Sequence, residues 1–311
     1  MSLVGRRVSV HVPATSANLG PGFDTLGMAL AFYDELEVEA VAGSGAVVDV
    51  TGEGAGEVPT DASNLVVKCI AHTFKHFNQP LPGLKLTATN RIPHGRGMGS
   101  SGAAVVSGIM AAKGLLEGIV EMTEDDLLAI ATELEGHPDN VAPALFGSLT
   151  IAWEDEAGPR HKKLYVHRGV HPLVLVPTFQ LSTKLARSLQ PESVPHEDAV
   201  FNVSRSALLI AALTQSPELL LEATRDKLHQ DYRASAMPQT ATLIQELRDR
   251  GHAAVVSGAG PSVLVLASDP AERLAATKFV TETYPEWRTL LLAVDFKGAT
   301  VVLHHKEDAV Q

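Results

Sequence analysis

The segment Pro93-His94-Gly95-Arg96-Gly97-Met98-Gly99-Ser100-Ser101-Gly102-Ala103 constrains this chain more than any other. Three alternating glycines let the backbone approach a ligand closely, and a small-residue helix opens at Ser100 and runs to about Leu116. Backbone N–H groups at a helix N-terminus, with the peptide dipoles behind them, form an anion site. Arg96 and the two serine hydroxyls would add donors. The competing reading is a glycine-rich connection whose serines merely cap the helix, but a cap needs one serine and no glycine triplet. Phosphate binding is the expectation.

Gly97-x-Gly99-x-x-Gly102 also matches the dinucleotide fingerprint, with Glu117 near the expected acidic offset. The segment before it argues otherwise. Leu84, Leu86 and Ala88 alternate with Lys85, Thr87 and Thr89, the pattern of a half-exposed antiparallel strand. A dinucleotide fold opens on a strand buried on both faces, which reads as continuous Val, Ile and Leu. A GxxxxGK[ST] motif is absent. A second glycine loop, Ser257-Gly258-Ala259-Gly260-Pro261-Ser262, lies between two apolar runs. It is either a plain hairpin turn or a partner of the first loop around one ligand.

Hydrophobic periodicity sketches the remainder. Strands are expected over 8–12, 33–41, 46–51 and 84–91, with a loop over 13–24. Asn64 caps a helix through about Phe77, and Thr123-Glu124-Asp125-Asp126 opens another that breaks at Gly136-His137-Pro138. Residues 154–171 are charged and contain Gly158-Pro159, which sets a boundary near 165 between an N-terminal domain (1–165) and a C-terminal domain (166–311). Beyond it come a strand at 173–177, helices at 197–213, 217–229 and 238–250, strands at 253–257 and 262–267, a helix at 270–283 and a strand at 289–295. That order suits a ferredoxin-like second half and an α+β protein.

The balance of 36 acidic against 25 basic residues gives a formal charge of −11, so a nucleic-acid partner is not expected. The single Cys69 forms no intramolecular disulfide, and no Cys/His spacing suggests structural zinc. A reducing, cytoplasmic compartment is the expectation. The apolar runs are too short to span a membrane. The run after Arg6-Arg7 stops at Pro13, so a secretory leader is not expected either.

Several polar residues stand out, each with a plainer alternative. Asn18 and Asp24 share a glycine- and proline-containing loop, suited to ligand contacts or simply to Asx-turns. His137, Asp139 and Asn140 fall within five residues and offer a base, an ammonium ligand and a hydroxyl positioner, or only a helix stop with a solvated aspartate. Glu133 and Glu135 do not share a helix face, so at most one reaches a common site. Magnesium is usually held by one carboxylate, a hydroxyl and nucleotide phosphates. Arg187 and Arg233 have the planar fork that recognises a carboxylate, although a lone arginine is usually solvated surface.

Four segments together resemble the GHMP kinase superfamily, and within it the branch that phosphorylates homoserine. They are Val12-Pro13-Ala14-Thr15-Ser16-Ala17-Asn18-Leu19-Gly20-Pro21-Gly22-Phe23-Asp24, Gly97-Met98-Gly99-Ser100-Ser101, Glu135-Gly136-His137-Pro138-Asp139-Asn140-Val141-Ala142-Pro143, and the 257–262 loop. The resemblance implies transfer of phosphate from ATP, with Mg²⁺, to the hydroxyl of L-homoserine in threonine biosynthesis. It implies an N-terminal domain like the second domain of ribosomal protein S5 and a ferredoxin-like C-terminal domain, and it is compatible with a homodimer. Residues 93–103 with Gly258 and Gly260 would bind ATP, with Asn64 near adenine. Ser100 and Glu133 would hold Mg²⁺, with Glu135 as the fallback. Asn18, Asp24, His137, Asp139, Arg187 and Arg233 would surround homoserine, and Asn18, Asn140 and Ser100 would act at the reacting groups.

Two departures qualify the match. Gly102 stands where the superfamily usually has Ala, loosening the first helical turn by up to about 1 kcal/mol. The lysine that other branches carry in the first motif is absent, which leaves the base open and assigns Asp139 to substrate binding. Phosphoryl transfer can proceed mainly by positioning and charge neutralisation. Another small-alcohol kinase is the nearest alternative. A non-catalytic nucleotide binder follows if both glutamates miss the metal, and a dinucleotide oxidoreductase is a third reading.

Overall fold

Val8, Val10, Val12 and Ala14 are buried in β1 (Arg7–Ala17), the strand on which the first half of the molecule is built. The structure, a computed structural model, describes residues 3–304. β1 pairs antiparallel with β2 (Leu26–Val41), and the register shifts between Pro13 and Ala14. That irregularity absorbs a proline with no N–H to donate. The expected loop over 13–24 is therefore corrected: Ala14 to Ala17 continue the strand, paired with Leu30 to Gly27, and the loop begins only at Asn18.

β3 (Ala46–Gly52) leads into α1 (Leu65–His76), where the Asn64 side chain accepts from the Val66 N–H at 2.9 Å. Such a cap is worth about 1 kcal/mol. β4 (Gly83–Asn90) runs antiparallel to β2 and parallel to β3, with the alternating burial expected of it. α2 (Ser100–Leu115) lies against both α1 and the sheet because it is built from small residues. A Cβ at Gly108 would sit 2.6 Å from the Cβ of Cys69, so any larger residue would push α1 away.

α3 (Glu124–Glu135) begins with a full Thr123/Asp126 capping box and ends at Gly136 in the left-handed region. The polar stretch after it is not a loop. It forms α4 (Pro138–Phe146), because His137 takes the extended N-cap conformation and Pro138 suits the first helical position. The charged 154–171 stretch also gains structure. β5 (Leu149–Asp155) and β6 (Gly158–Leu164) form a hairpin paired from Leu149↔Leu164 to Asp155↔Gly158, and β5 joins β2.

The second half opens with β7 (His171–Val176), then α5 (Thr183–Ser188) and α6 (His196–Thr214). The helix expected over 217–229 breaks up into a 3₁₀ turn at Pro217–Leu219, α7 (Leu220–Ala223) and α8 (Gln230–Arg233). The Asp226 carboxylate accepts from the N–H groups of Leu228, His229 and Gln230, offering the backbone a local alternative to helix. α9 (Pro238–Asp249), β8 (Ala254–Val256), β9 (Val263–Ala267), α10 (Pro270–Thr283) and β10 (Arg288–Leu291) complete an antiparallel sheet in the order β10-β7-β9-β8. This is ferredoxin-like order.

The chain then returns. β11 (Thr300–His304) pairs with β1 at the edge of the first sheet, in the order β11-β1-β2-β4-β3. Residues 300–304 thus pack with the N-terminal half, and the two sheets do not divide the chain at one point. Among the described residues no helix is long and apolar enough to cross a membrane.

Candidate active site

The glycine loop before α2 is held in a shape that only glycine permits. Gly97 and Gly99 have φ of +73° and +71°. A Cβ at Gly97 would lie 2.1 Å from the Ser257 carbonyl, and one at Gly99 would lie 2.0 Å from Thr15 Oγ1. Ser257 Oγ donates to the Gly97 carbonyl at 2.6 Å, so the two glycine loops are bound together. The 257–262 segment is both the β8–β9 hairpin turn and a wall of the cleft.

Gly99 is the N-cap of α2, and no side chain caps the helix, which disposes of the capping alternative for the serines. Instead Ser101 Oγ donates to Glu135 Oε2 at 2.8 Å. The first-turn N–H groups of α2, without a side-chain acceptor, suit an anion. Arg96 does not contribute as expected. Its Nε, Nη1 and Nη2 donate to the carbonyls of Pro177, His94 and Thr178 at 3.0, 3.2 and 2.9 Å. The guanidinium therefore straps the loop to the segment after β7.

Glu133 is the clear displacement from the sequence reading. It is exposed and pairs with His72 Nε2 at 3.3 Å, away from the cleft. Two residues along a helix turn a side chain by about 200°, so Glu135 is the glutamate that faces the loop. Burial raises the pKa of Glu135, against the lowering effects of the Ser101 hydrogen bond and the nearby His137.

Opposite the loop lie opposed charges. Asn18 and Asp24 have φ of +69° and +54°, a conformation rare for residues with a Cβ and often found at functional sites. The Asn18 amide bridges the two halves: Oδ1 accepts from the Asp24 N–H at 2.9 Å, and Nδ2 donates to the Gly258 carbonyl at 2.8 Å. His137 Nδ1 and Asp139 Oδ1 are 2.6 Å apart, and that hydrogen bond raises the pKa of His137. Asn140 Oδ1 accepts from Thr15 Oγ1 at 3.0 Å. Arg187 pairs with Asp24.

Arg233 is 1% exposed, far from the solvated arginine that its sequence context allowed. Its guanidinium carbon sits 5.0 Å from the centroid of the Phe23 ring, and Phe23 stacks on His229. With its oxygen turned inward, the Gln190 amide accepts from Arg233 Nε at 2.8 Å.

These residues line a cleft open to solvent, with about 700 Å³ of empty space at its mouth and floor together. Asn18, Asp24, Gly95, Arg96, Gly97, Gly99, Ser100, Ser101, His137, Asp139, Asn140, Arg187, Arg233, Gly258 and Gly260 all line it. Around the N-terminus of α2 a second, more apolar pocket of about 920 Å³ is walled by Val48, Val50, Leu86 and Ala88, with Asn64 and His94 at its edge. Ser100 and Ser101 border both cavities. Pro93, Met98, Gly102 and Ala103, expected among the ATP contacts, are buried and line neither cavity. Thr183 also lines the cleft, yet sequence reading did not select it. Its signal was slight, a helix start at Ser182-Thr183 close before Arg187.

Models of two families match the chain: the GHMP kinases N terminal domain over residues 64–148 and the GHMP kinases C terminal domain over 207–286. Homoserine kinase of Clavibacter michiganensis subsp. michiganensis is 73% identical over 299 residues, 96% of this chain and 94% of that protein. Homoserine kinase of Leifsonia xyli subsp. xyli is 69% identical over 311 residues, 100% of this chain and 96% of that protein. The chain belongs to the homoserine kinase family of GHMP kinases. This kinase also superposes on a crystal structure of homoserine kinase from Cytophaga hutchinsonii with a TM-score of 0.86, at 26% identity, covering 95% of this chain and 97% of that one. Mevalonate kinase of L. major shares the fold of the kinase at 17% identity, with a TM-score of 0.67 and 95% and 96% of the two chains covered.

Proposed function

We propose that this kinase moves the γ-phosphoryl group of ATP to the hydroxyl of L-homoserine, forming O-phospho-L-homoserine in threonine biosynthesis. One observation carries the reading: a single cleft sets Asp24 and Asp139 against Arg187 and Arg233 beside an open helix N-terminus. A zwitterionic amino acid needs both signs of charge. Its ammonium fits the carboxylates, and its carboxylate fits the arginine forks. The relatives named homoserine kinase supply the same substrate class.

The phosphates of ATP would lie on the backbone of residues 95–101, with adenine in the apolar pocket beside Asn64. Ser100 and Glu135 would hold Mg²⁺, since a hydroxyl and a carboxylate beside a phosphate site form the hard oxygen set this ion prefers. When bound, the ion neutralises charge on the transferred phosphoryl oxygens. Asn18 and Asn140 would hold the cleft walls in register for in-line attack, and His137 would orient Asp139. No side-chain base is assigned; positioning and charge neutralisation carry the transfer. Cys69 is buried, and burial pushes its thiol up to about 12, so it is an unreactive core residue with no part in the transfer.

ADP release is to be measured with homoserine, threonine, mevalonate and shikimate as acceptors. Stimulation by homoserine above the others is expected. Release of ADP with mevalonate or shikimate but not homoserine would overturn the substrate assignment.

A further inference from the structure

The glutamate that misses the cleft has company. His72 and His76 lie four residues apart on α1 and so share a face of that helix. Glu133 on α3 reaches the same spot from across the helix pair, and its Oε2 is 3.3 Å from His72 Nε2. One ligating atom from each of the three residues lies within 4.8 Å of the other two. We propose that His72, His76 and Glu133 form a binding site for a late first-row divalent cation of the zinc class, separate from the nucleotide site.

The donor set selects the ion. Two imidazoles and one carboxylate are the three protein ligands of an open zinc site, with water in the fourth position. Imidazole disfavours Mg²⁺ and Ca²⁺, which take oxygen ligands, and favours zinc, copper and nickel. Tetrahedral bonds of about 2.0–2.1 Å place neighbouring donors roughly 3.3 Å apart. His72 and Glu133 already stand at that separation. His76 is exposed, so a small side-chain rotation brings it in without disturbing the core.

A bare surface His–Glu pair is the simpler explanation of the 3.3 Å contact, and such a pair is worth little. It does not account for a second imidazole one helical turn away on the same face. No Cys/His spacing advertised the site, because its third ligand comes from a helix 57 to 61 positions further along the chain. Binding would pin α1 to α3. The N-cap of α1 is Asn64 at the apolar pocket, and the last residue of α3 is Glu135 in the cleft. The clamp therefore lies between the elements that border both cavities.

The full-length kinase is to be titrated with Zn²⁺ against a chromophoric chelator in excess Mg²⁺, alongside His76→Ala, His72→Ala and Glu133→Gln. One zinc per chain that Mg²⁺ does not displace is expected. Each substitution should weaken it by at least about tenfold, the smallest loss that even outer-shell changes usually bring. Zinc should raise the unfolding temperature of the wild type more than that of His76→Ala. Glu133→Gln keeps an exposed helical position nearly isosteric, so it decides the matter if a histidine variant folds poorly. The proposal falls if the wild type binds no zinc, if all three variants bind as tightly as the wild type, or if Mg²⁺ displaces the zinc.

Discussion

Arg187 grips Asp24 through two parallel hydrogen bonds, Nη1 to Oδ2 at 3.1 Å and Nη2 to Oδ1 at 2.9 Å, across 163 residues of sequence. The pair closes one side of the cleft, and both side chains remain 38% exposed. It is therefore screened, and a ligand carboxylate can compete for the fork. Arg187→Ala should raise the KM for homoserine roughly 10- to 100-fold, the size of a lost charge-assisted contact, with little change in the KM for ATP. Steady-state kinetics with each substrate varied in turn checks this. Equal rises in both constants would count against a carboxylate contact.

Glu135→Gln is expected to cut kcat by at least about tenfold and to raise the Mg²⁺ concentration needed for half-maximal rate, because it removes the carboxylate that faces the glycine loop through Ser101, next to Ser100. Glu133→Gln should leave kcat within about twofold. Magnesium titrations of the two variants separate the assignments, and the reverse pattern would restore Glu133 to the metal.

Two glycines three residues apart, Gly99 and Gly102, should behave in opposite ways. Gly99→Ala forces a Cβ to 2.0 Å from Thr15 Oγ1 at a φ of +71°, so it should destabilise the fold and abolish nucleotide binding. Gly102 lies inside α2, and a Cβ there would meet Asn140 Cβ and Val141 Cγ1 at an ordinary 3.5 Å. Gly102→Ala should stabilise by up to about 1 kcal/mol through helix propensity. Denaturant midpoints give the sign of each. A destabilised Gly102→Ala protein would mean that the first turn of α2 needs more room than its contacts indicate.

His229 gives stability a pH dependence. Its ring is fully buried and its Nε2 is 2.8 Å from the Gly20 carbonyl, to which the neutral ring donates. Nδ1 is then free to accept from Arg233 Nη1 at 3.4 Å. Burial lowers the pKa of His229, and the Arg233 cation adds to the lowering, against the pull of Asp226. The unfolded chain therefore takes up a proton near pH 6.5 that the folded chain refuses. Stability from this group is present above that pH and declines as pH falls below it, by at most about 1.4 kcal/mol per pH unit. His229→Gln should flatten the fall in urea midpoint between pH 7 and pH 5. An unchanged slope would assign the effect to other groups.

Local chemistry carried the sequence reading a long way. The Asn64 cap, the Thr123 capping box, the glycine triplet and the alternating Leu84–Leu86–Ala88 face are decided by neighbours within a few residues, so they were legible without a fold. Misreadings came where a distant partner overrides local preference. Ala14 to Ala17 look like a loop until β2 pairs with them, and residues 154–164 look like a linker until the β5–β6 hairpin forms.

The same distinction divides the site. Sequence alone determined which residue types were available: a glycine-rich loop with two serines, two arginines, two glutamates two positions apart, and a run of His, Asp and Asn. Only the tertiary structure decided how each is used. Helical rotation turned Glu135 toward Ser101 and Glu133 toward His72. Carbonyls of Pro177 and Thr178, some 80 residues away, took up the guanidinium of Arg96. Burial among Phe23, His229 and Gln190 made Arg233 an interior cation at the cleft. Side-chain identity is a local property, whereas direction, solvation and partners depend on surfaces that come together only when the chain folds.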